Sequence, residues 1–173
     1  MPARTPTSSG KGNLSYPTHN DLSEERRNST VEILDARLAD AVDLQTQMKQ
    51  AHWNVKGPNF IALHELFDKV NEDVEGYVDD LAERVVQLGG VAHGTARQVA
   101  GRSTLSEYPP ARDGRAHVEA VTAALASFGA KVRAAIDLTD QLGDRDTADL
   151  FTEISRGVDK WLWFVEAHTQ ADR

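Results

Sequence analysis

Residues 51–90 determine the fold class of this chain, and they read AHWNVKGPNFIALHELFDKVNEDVEGYVDDLAERVVQLGG. The run KGPN at 56–59 interrupts a helical pattern, because a glycine suits the C-terminal cap of a helix and a proline cannot continue its hydrogen-bond ladder. The pattern resumes at about Asn59 and stops at Gly89 and Gly90. The stretch therefore predicts two antiparallel helices that are joined by a tight turn.

The first helix of this pair is predicted to run from Asp21 to about Val55. Asp21 followed by Glu24 has the form of a capping box. Apolar residues then recur at spacings that alternate between three and four, as on the buried face of a helix. The predicted inward stripe consists of Val31, Leu34, Leu38, Ala41, Gln45, Met48, His52 and Val55.

Two more helices are predicted after a long connection. Residues 89–112 contain several glycines and prolines and form this connection, with a short helix near Ala96. The third helix is expected over 113–141 and the fourth over 146–168, with Asp146 as its cap. No segment has the alternation of a strand. Two tight helix pairs joined by one long crossover predict an all-α, ferritin-like four-helix bundle.

Length and composition are compatible with one such domain. Residues 1–20 are rich in Pro, Gly, Ser and Thr and are predicted to be a flexible N-terminal tail, so that 21–173 form the bundle domain. The chain start does not resemble a secretory signal, no apolar run approaches the roughly 20 residues of a membrane span, and cysteine is absent. A cytoplasmic location is therefore favoured. The net charge of −8 argues against a general nucleic-acid binder.

The second helix carries an unusual polar stripe. Its members follow steps of four, four, seven and four, which places them on one narrow face at about 100° per residue. They are His64, Asp68, Glu72, Asp79 and Glu83. A solvated acidic face with one ordinary histidine is one interpretation. However, His52 lies in the first helix just before the turn, so antiparallel packing places His52, His64 and Asp68 at one level. Two imidazoles and a carboxylate without sulfur favour iron, manganese or zinc.

A distance argument predicts how such a site is completed. His64 and Asp79 are fifteen residues apart on one helix, which corresponds to about 22 Å at roughly 1.5 Å per residue. Metal–ligand bonds are only about 2.0–2.2 Å long. If Asp79 and Glu83 are ligands, they must therefore come from a second subunit across a two-fold axis.

Several sequence runs resemble the Dps family of mini-ferritins (DNA-binding proteins from starved cells). They are HWNVKGPNF at 52–60, HE at 64–65, Asp68, AERVVQLGG at 82–90, YP at 108–109 and DKWLWF at 159–164. The resemblance implies a hollow dodecamer that oxidises Fe(II) to Fe(III), prefers hydrogen peroxide as oxidant and stores the iron. It also implies ferroxidase ligands at His52, His64 and Asp68 of one subunit and at Asp79 and Glu83 of its two-fold mate.

Two residues near these ligands are predicted from their positions to have further roles. Trp53 is predicted either to relay or trap an oxidising equivalent or to pack at the subunit interface, and Glu72 either to assist a second iron or to face solvent or an interface. The resemblance further implies that acids at the start of the fourth helix line an iron-admitting pore, although they also fit a helix N-terminus. These acids are Asp144, Asp146 and Asp149.

Three functions remain open from the sequence. The first is a ferroxidase that stores iron and protects DNA by consuming Fe(II) together with peroxide. The alternative is a nucleoid-associated, DNA-compacting structural protein whose iron site is secondary. Only Arg4 and Lys11 are cationic in residues 1–20, so a single tail gives direct DNA binding little support. Many tails on one oligomer could still bind DNA weakly through multivalency. The third is a plain helical bundle without a metal.

Overall fold

The computed structural model describes residues 16–171, and within these residues the protein contains five helices and no strand. The helices are α1 (Glu24–Asn54), α2 (Phe60–Gln87), α3 (Ala96–Ala100), α4 (Gly114–Gln141) and α5 (Arg145–Glu166). α1 pairs with α2 and α4 with α5, and α1 also packs on α4. The predicted all-α four-helix bundle with a long crossover is therefore confirmed. No helix in the described part of the chain has an apolar stretch long enough to cross a bilayer.

The core lies between the four long helices. Phe67, Phe128 and Phe151 are fully buried and come from α2, α4 and α5, while α1 contributes a stripe that includes Leu34. The predicted stripe was wrong at Gln45, which is half-buried, because the neighbouring Leu44 fills the core there. Burial of an apolar side chain at that position stabilises the fold more than burial of an amide would.

Two helix caps differ from the prediction. Ser23, and not Asp21, caps α1, where its hydroxyl accepts from the amide of Arg26 at 3.4 Å. Asp144, and not Asp146, caps α5, where its carboxylate accepts from the amide of Thr147 at 3.1 Å. In both places several capping residue types stand close together, and only the point at which the backbone becomes helical selects between them.

The predicted tail is partly ordered. The amide of Tyr16 donates to the carbonyl of Gly89 at 2.6 Å, so residues 16–20 lie against the end of α2. Gly89 has φ +88°, a conformation that favours glycine. Residues 1–15 lie outside the described residues, together with Arg4 and Lys11, and the flexibility of that segment stays a prediction.

Buried carboxylates hold the crossover on α1. Asp40 is fully buried and accepts from the amide of Thr104 at 2.7 Å and from the guanidinium of Arg37 at 2.7 Å. Gln47 donates to the carbonyl of Ser106 at 3.0 Å. These contacts position the segment that leads to Tyr108 and α4, although it contains little regular structure.

Replacement of Gly157 by alanine is expected to destabilise the bundle by roughly 1–3 kcal/mol. A Cβ at this position of α5 would collide with the hydroxyl of Tyr77 on α2 and lie 2.9 Å from its Cζ. Urea unfolding at a fixed protein concentration would measure the change in free energy. The same substitution in a Tyr77→Phe background removes the closest contact and should cost less; an equal cost in both backgrounds would contradict this explanation.

Candidate metal centre

The two histidines beside the α1–α2 turn hold each other in place. Nδ1 of His52 lies 2.8 Å from the carbonyl oxygen of His64, and Nδ1 of His64 lies 2.9 Å from the carbonyl oxygen of His52. Their rings stack with centroids 3.7 Å apart and an interplanar angle of 22°. A carbonyl oxygen can only accept, so each Nδ1 carries a hydrogen and donates it. In the neutral form of each ring the lone pair is therefore at Nε2.

This arrangement is typical of metal-binding histidines. A ligating imidazole usually donates its other ring N–H to a carbonyl or carboxylate, which fixes both its tautomer and its orientation. The side chain of His52 is 13% exposed, although its neighbours Ala51 and Val55 are buried. Phe60 lies against His64 at a ring distance of 5.1 Å. The pair is thus ordered but still accessible from the surface of the chain.

Asp68 lies next to this pair, one helical turn after His64. Its Oδ1 is 3.9 Å from Nδ1 of His52 and accepts a 2.6 Å hydrogen bond from Nζ of Lys49. This hydrogen bond is the main cause that lowers the pKa of Asp68; burial acts in the opposite direction, and the charges of His52, Lys49 and His64 lower the pKa further. The carboxylate is therefore ionised at neutral pH. The structure brings the three residues together as expected, but Lys49 had not been identified from the sequence.

The other two predicted ligands lie far from the histidines along α2. Asp79 and Glu83 are exposed and make no hydrogen bond or ion pair within residues 16–171, and the same holds for Glu72. Between residues 16 and 171 of a single chain, no group of three or more histidine, aspartate or glutamate side chains is arranged to hold a metal ion. The structure thus divides the five predicted metal ligands into two groups within one chain: His52, His64 and Asp68 near the α1–α2 turn, and Asp79 and Glu83 farther along α2.

The acids at the start of α5 have different environments. Asp144 is only 2% exposed and forms a 2.9 Å ion pair with Arg84, whose Nε also donates to Thr147. Asp146 and Asp149 are exposed. Since the charge of Asp144 is already paired with Arg84, the two exposed acids fit the pore prediction better, and the pore stays a prediction.

Trp53 follows His52 and is 66% exposed in the single chain. A large aromatic side chain in this position remains available to pack against another subunit or to relay or trap an oxidising equivalent from a metal held by His52. Both roles stay predictions.

Comparison with known proteins identifies the family. The ferritin-like domain model matches residues 31–173. A DNA protection during starvation protein of Agrobacterium fabrum is 43% identical over 159 residues, which cover 90% of this chain and 96% of the relative. The solved structure of Mycobacterium smegmatis Dps superposes with a TM-score of 0.86 at 32% identity, covering 90% of this chain and 96% of that one. For DpsC from Streptomyces coelicolor the TM-score is 0.87 at 29% identity, with 92% and 94% covered. The chain therefore belongs to the ferritin-like domain family, and within it to the Dps mini-ferritins.

Proposed function

We propose that this protein is a ferroxidase that binds Fe(II) between two subunits and oxidises it with hydrogen peroxide. His52, His64 and Asp68 of one subunit bind the iron together with Asp79 of the partner subunit and Glu83 of the partner subunit. The observation that carries the proposal is the pair of reciprocal Nδ1 hydrogen bonds between His52 and His64, which leaves both Nε2 atoms as free donors of a lone pair.

The donor set suits iron as substrate. Carboxylate oxygens bind hard cations, imidazole nitrogen suits Fe(II), and the chain offers no sulfur from cysteine. The low pKa of Asp68 keeps its carboxylate ready to bind a cation near neutral pH. Lys49 occupies one oxygen of Asp68, so iron has to compete with this ammonium group or bind the other oxygen.

The proposed reaction explains protection of DNA without contact. Two Fe(II) ions give one electron each to a peroxide molecule, its O–O bond breaks, and two protons complete two molecules of water. Both electrons arrive together, so no hydroxyl radical is released. Storage of the resulting Fe(III) inside a closed shell would then keep it from being reduced again.

A homo-oligomer follows from this assignment. Asp79 and Glu83 have no hydrogen-bond or ion-pair partner within residues 16–171 of their own chain, and a two-fold axis beside α2 would bring them to the histidines of a second copy. We further propose that such dimers build a hollow dodecamer, with Asp146 and Asp149 at an iron-admitting pore and Glu72 as an accessory acid near the centre. A cytoplasmic location stays a prediction.

The rate of Fe(II) oxidation by peroxide tests the proposal. The double variant His52→Ala/Asp79→Ala removes one ligand from each half of the site and should lose nearly all of the rapid oxidation. Loss of a residue that only supports a metal ligand already lowers metal affinity or activity by about 10–100-fold, and loss of a direct ligand should lower them at least as much. His168→Ala is the control, since this exposed side chain lies just after α5 and, within residues 16–171, bonds only to the carbonyl of Phe164. An unchanged rate in the double variant would refute the site.

Direct DNA binding is the competing function. The Agrobacterium fabrum relative carries DNA protection in its name, which is compatible with either mechanism. Gel retardation across a salt series would separate them: a shift at low salt that disappears when residues 1–20 are deleted would favour a tail-mediated structural role. We expect little retardation at physiological salt, because two cations per tail have to act against a net charge of −8.

A further inference from the structure

A half-buried tyrosine and a buried histidine form a hydrogen-bonded pair outside the proposed iron ligands. Oη of Tyr108 is 2.7 Å from Nδ1 of His117, and the two rings stack at 5.9 Å. His117 is only 1% exposed and Tyr108 is half-buried. Burial raises the pKa of Tyr108 to about 12 and lowers the pKa of His117, so the phenol is protonated and the imidazole is neutral at pH 7.

The two ring nitrogens of His117 have different surroundings. Nδ1 lies at the Tyr108 hydroxyl, whereas Nε2 is buried and makes no hydrogen bond within residues 16–171. The tautomer with its hydrogen on Nε2 leaves Nδ1 free to accept, and in that tautomer Tyr108 donates to His117.

The pair lies at the same end of the bundle as the proposed iron site. A Cβ at Gly114, in the first turn of α4, would be 3.0 Å from Cδ1 of Leu63 and 3.4 Å from the carbonyl oxygen of Lys56. The start of α4 therefore packs directly on the α1–α2 turn. Leu63 precedes His64, and Asn54 lies two residues after His52, or about 3 Å along the axis of α1.

We propose that Tyr108 is a redox-active tyrosine that donates one electron when peroxide meets a centre holding a single Fe(II), and that His117 accepts its phenolic proton. The inference rests on the proposed ferroxidase function. A single Fe(II) supplies one electron, which is half of what peroxide needs to become two molecules of water. The electron from Tyr108 supplies the other half and prevents release of a hydroxyl radical.

The step balances in atoms and charge. Fe(II), peroxide, neutral Tyr108, neutral His117 and two protons from solvent give Fe(III), two waters, a tyrosyl radical and an imidazolium at His117. The O–O bond of peroxide breaks, and the phenolic O–H proton moves along the 2.7 Å hydrogen bond to Nδ1. A second Fe(II) then returns an electron to the radical, the proton moves back to Oη, and the pair is reset.

His117 gives Tyr108 an acceptor for its phenolic proton, which one-electron oxidation of a tyrosine requires. A tyrosine that loses an electron becomes a strong acid, and in a buried place its proton needs an acceptor within hydrogen-bond distance. Charges near His117 act in both directions, because Asp113 favours the imidazolium and Lys56 disfavours it. The backbone of Asn54 also favours the imidazolium. His117 acts here as a positioning and proton-accepting residue and does not touch the iron.

Tyr77 provides a matched comparison. Burial also raises its pKa to about 12, but the charged neighbours that contribute are Asp73, Glu153 and Asp80. Its hydroxyl makes no hydrogen bond to a histidine within residues 16–171. Tyr16, the third tyrosine of the chain, is 65% exposed. The chain thus contains one half-buried tyrosine that is hydrogen-bonded to a histidine, one half-buried tyrosine with no such bond within residues 16–171 and one exposed tyrosine.

The first experiment uses the iron-free oligomer. A photogenerated one-electron oxidant is applied to a Tyr16→Phe parent, because Tyr16 is exposed to any external oxidant, and tyrosyl radical is detected by electron paramagnetic resonance. We expect the signal to disappear in Tyr108→Phe and to persist in Tyr77→Phe. His117→Gln, which can accept a hydrogen bond but cannot hold the proton, should lower the yield strongly. A signal that survives Tyr108→Phe or is unaffected by His117→Gln would overturn the assignment.

The second experiment adds less than one Fe(II) per proposed site, followed by peroxide, to the same variants. Fe(II) oxidation is recorded by absorbance in parallel with the radical, and hydroxyl radical with a spin trap. We expect a Tyr108-dependent radical, and more trapped hydroxyl radical in Tyr108→Phe than in Tyr77→Phe. Rapid oxidation with no Tyr108 radical would overturn this inference and leave the ferroxidase proposal standing. Slow oxidation that is insensitive to His52→Ala would instead refute the ferroxidase proposal, whatever the iron-free experiment shows.

Discussion

Subunits with His52→Ala and subunits with Asp79→Ala are each expected to be inactive, and to regain about a quarter of the wild-type rate of Fe(II) oxidation when refolded as an equal mixture. In a mixed dimer one centre combines the intact histidine side of one subunit with the intact acidic side of the other. The second centre of that dimer carries both defects. Random pairing makes about half of the dimers mixed, so about a quarter of all centres are complete.

The control for this recovery is a mixture of Asp79→Ala and Glu83→Ala subunits. Both substitutions lie on the acidic side, so every centre in every dimer lacks one acid, and no recovery is expected. The initial rate of Fe(II) oxidation by peroxide is measured after unfolding, mixing and refolding, with particle size checked in each sample. Equal recovery in both mixtures, or none in the first, would mean that the centre is not divided between subunits in the way proposed.

Replacement of Arg84 by methionine is expected to destabilise the protein by about 3–5 kcal/mol, because it leaves a buried carboxylate without its counter-ion. Asp144 is 2% exposed and accepts from Arg84 at 2.9 Å, and Nε of the same guanidinium donates to Thr147 at 2.9 Å. These bonds join the end of α2 to the start of α5. Chemical denaturation at one fixed protein concentration, followed by far-ultraviolet circular dichroism, measures the effect.

Arg133→Met is the matched control for this substitution. Arg133 pairs with Asp159 at a similar distance, 2.8 Å, but the two side chains are 49% and 55% exposed. Exposed ion pairs contribute about 0–1 kcal/mol, because water solvates the separated charges almost as well. Similar destabilisation by both substitutions would show that burial of Asp144 does not control the effect.

Local sequence was sufficient to predict the helices and the spacing of the candidate ligands along them. The run at 56–59 interrupts a helical pattern wherever it stands, and apolar residues at steps of three and four define one buried face of a helix. The four-residue step from His64 to Asp68 places both on one side of α2 by helix geometry alone. The separation of about 22 Å between His64 and Asp79 follows from the same geometry, without knowledge of the fold.

Contacts between residues far apart in the chain could be decided only by the tertiary structure. Arg84 pairs with Asp144 across sixty positions of sequence, Lys49 on α1 bonds to Asp68 on α2, and Tyr108 in the irregular crossover forms a hydrogen bond with His117 on α4. Helical periodicity predicts which face of a helix is buried, but not which residue of another helix lies opposite. That depends on how the helices are rotated and shifted against each other, which is determined by the packing of the whole core. The same packing brings each histidine ring against the other's backbone carbonyl, and so determines that Nε2 is the ring nitrogen left without a partner inside the pair.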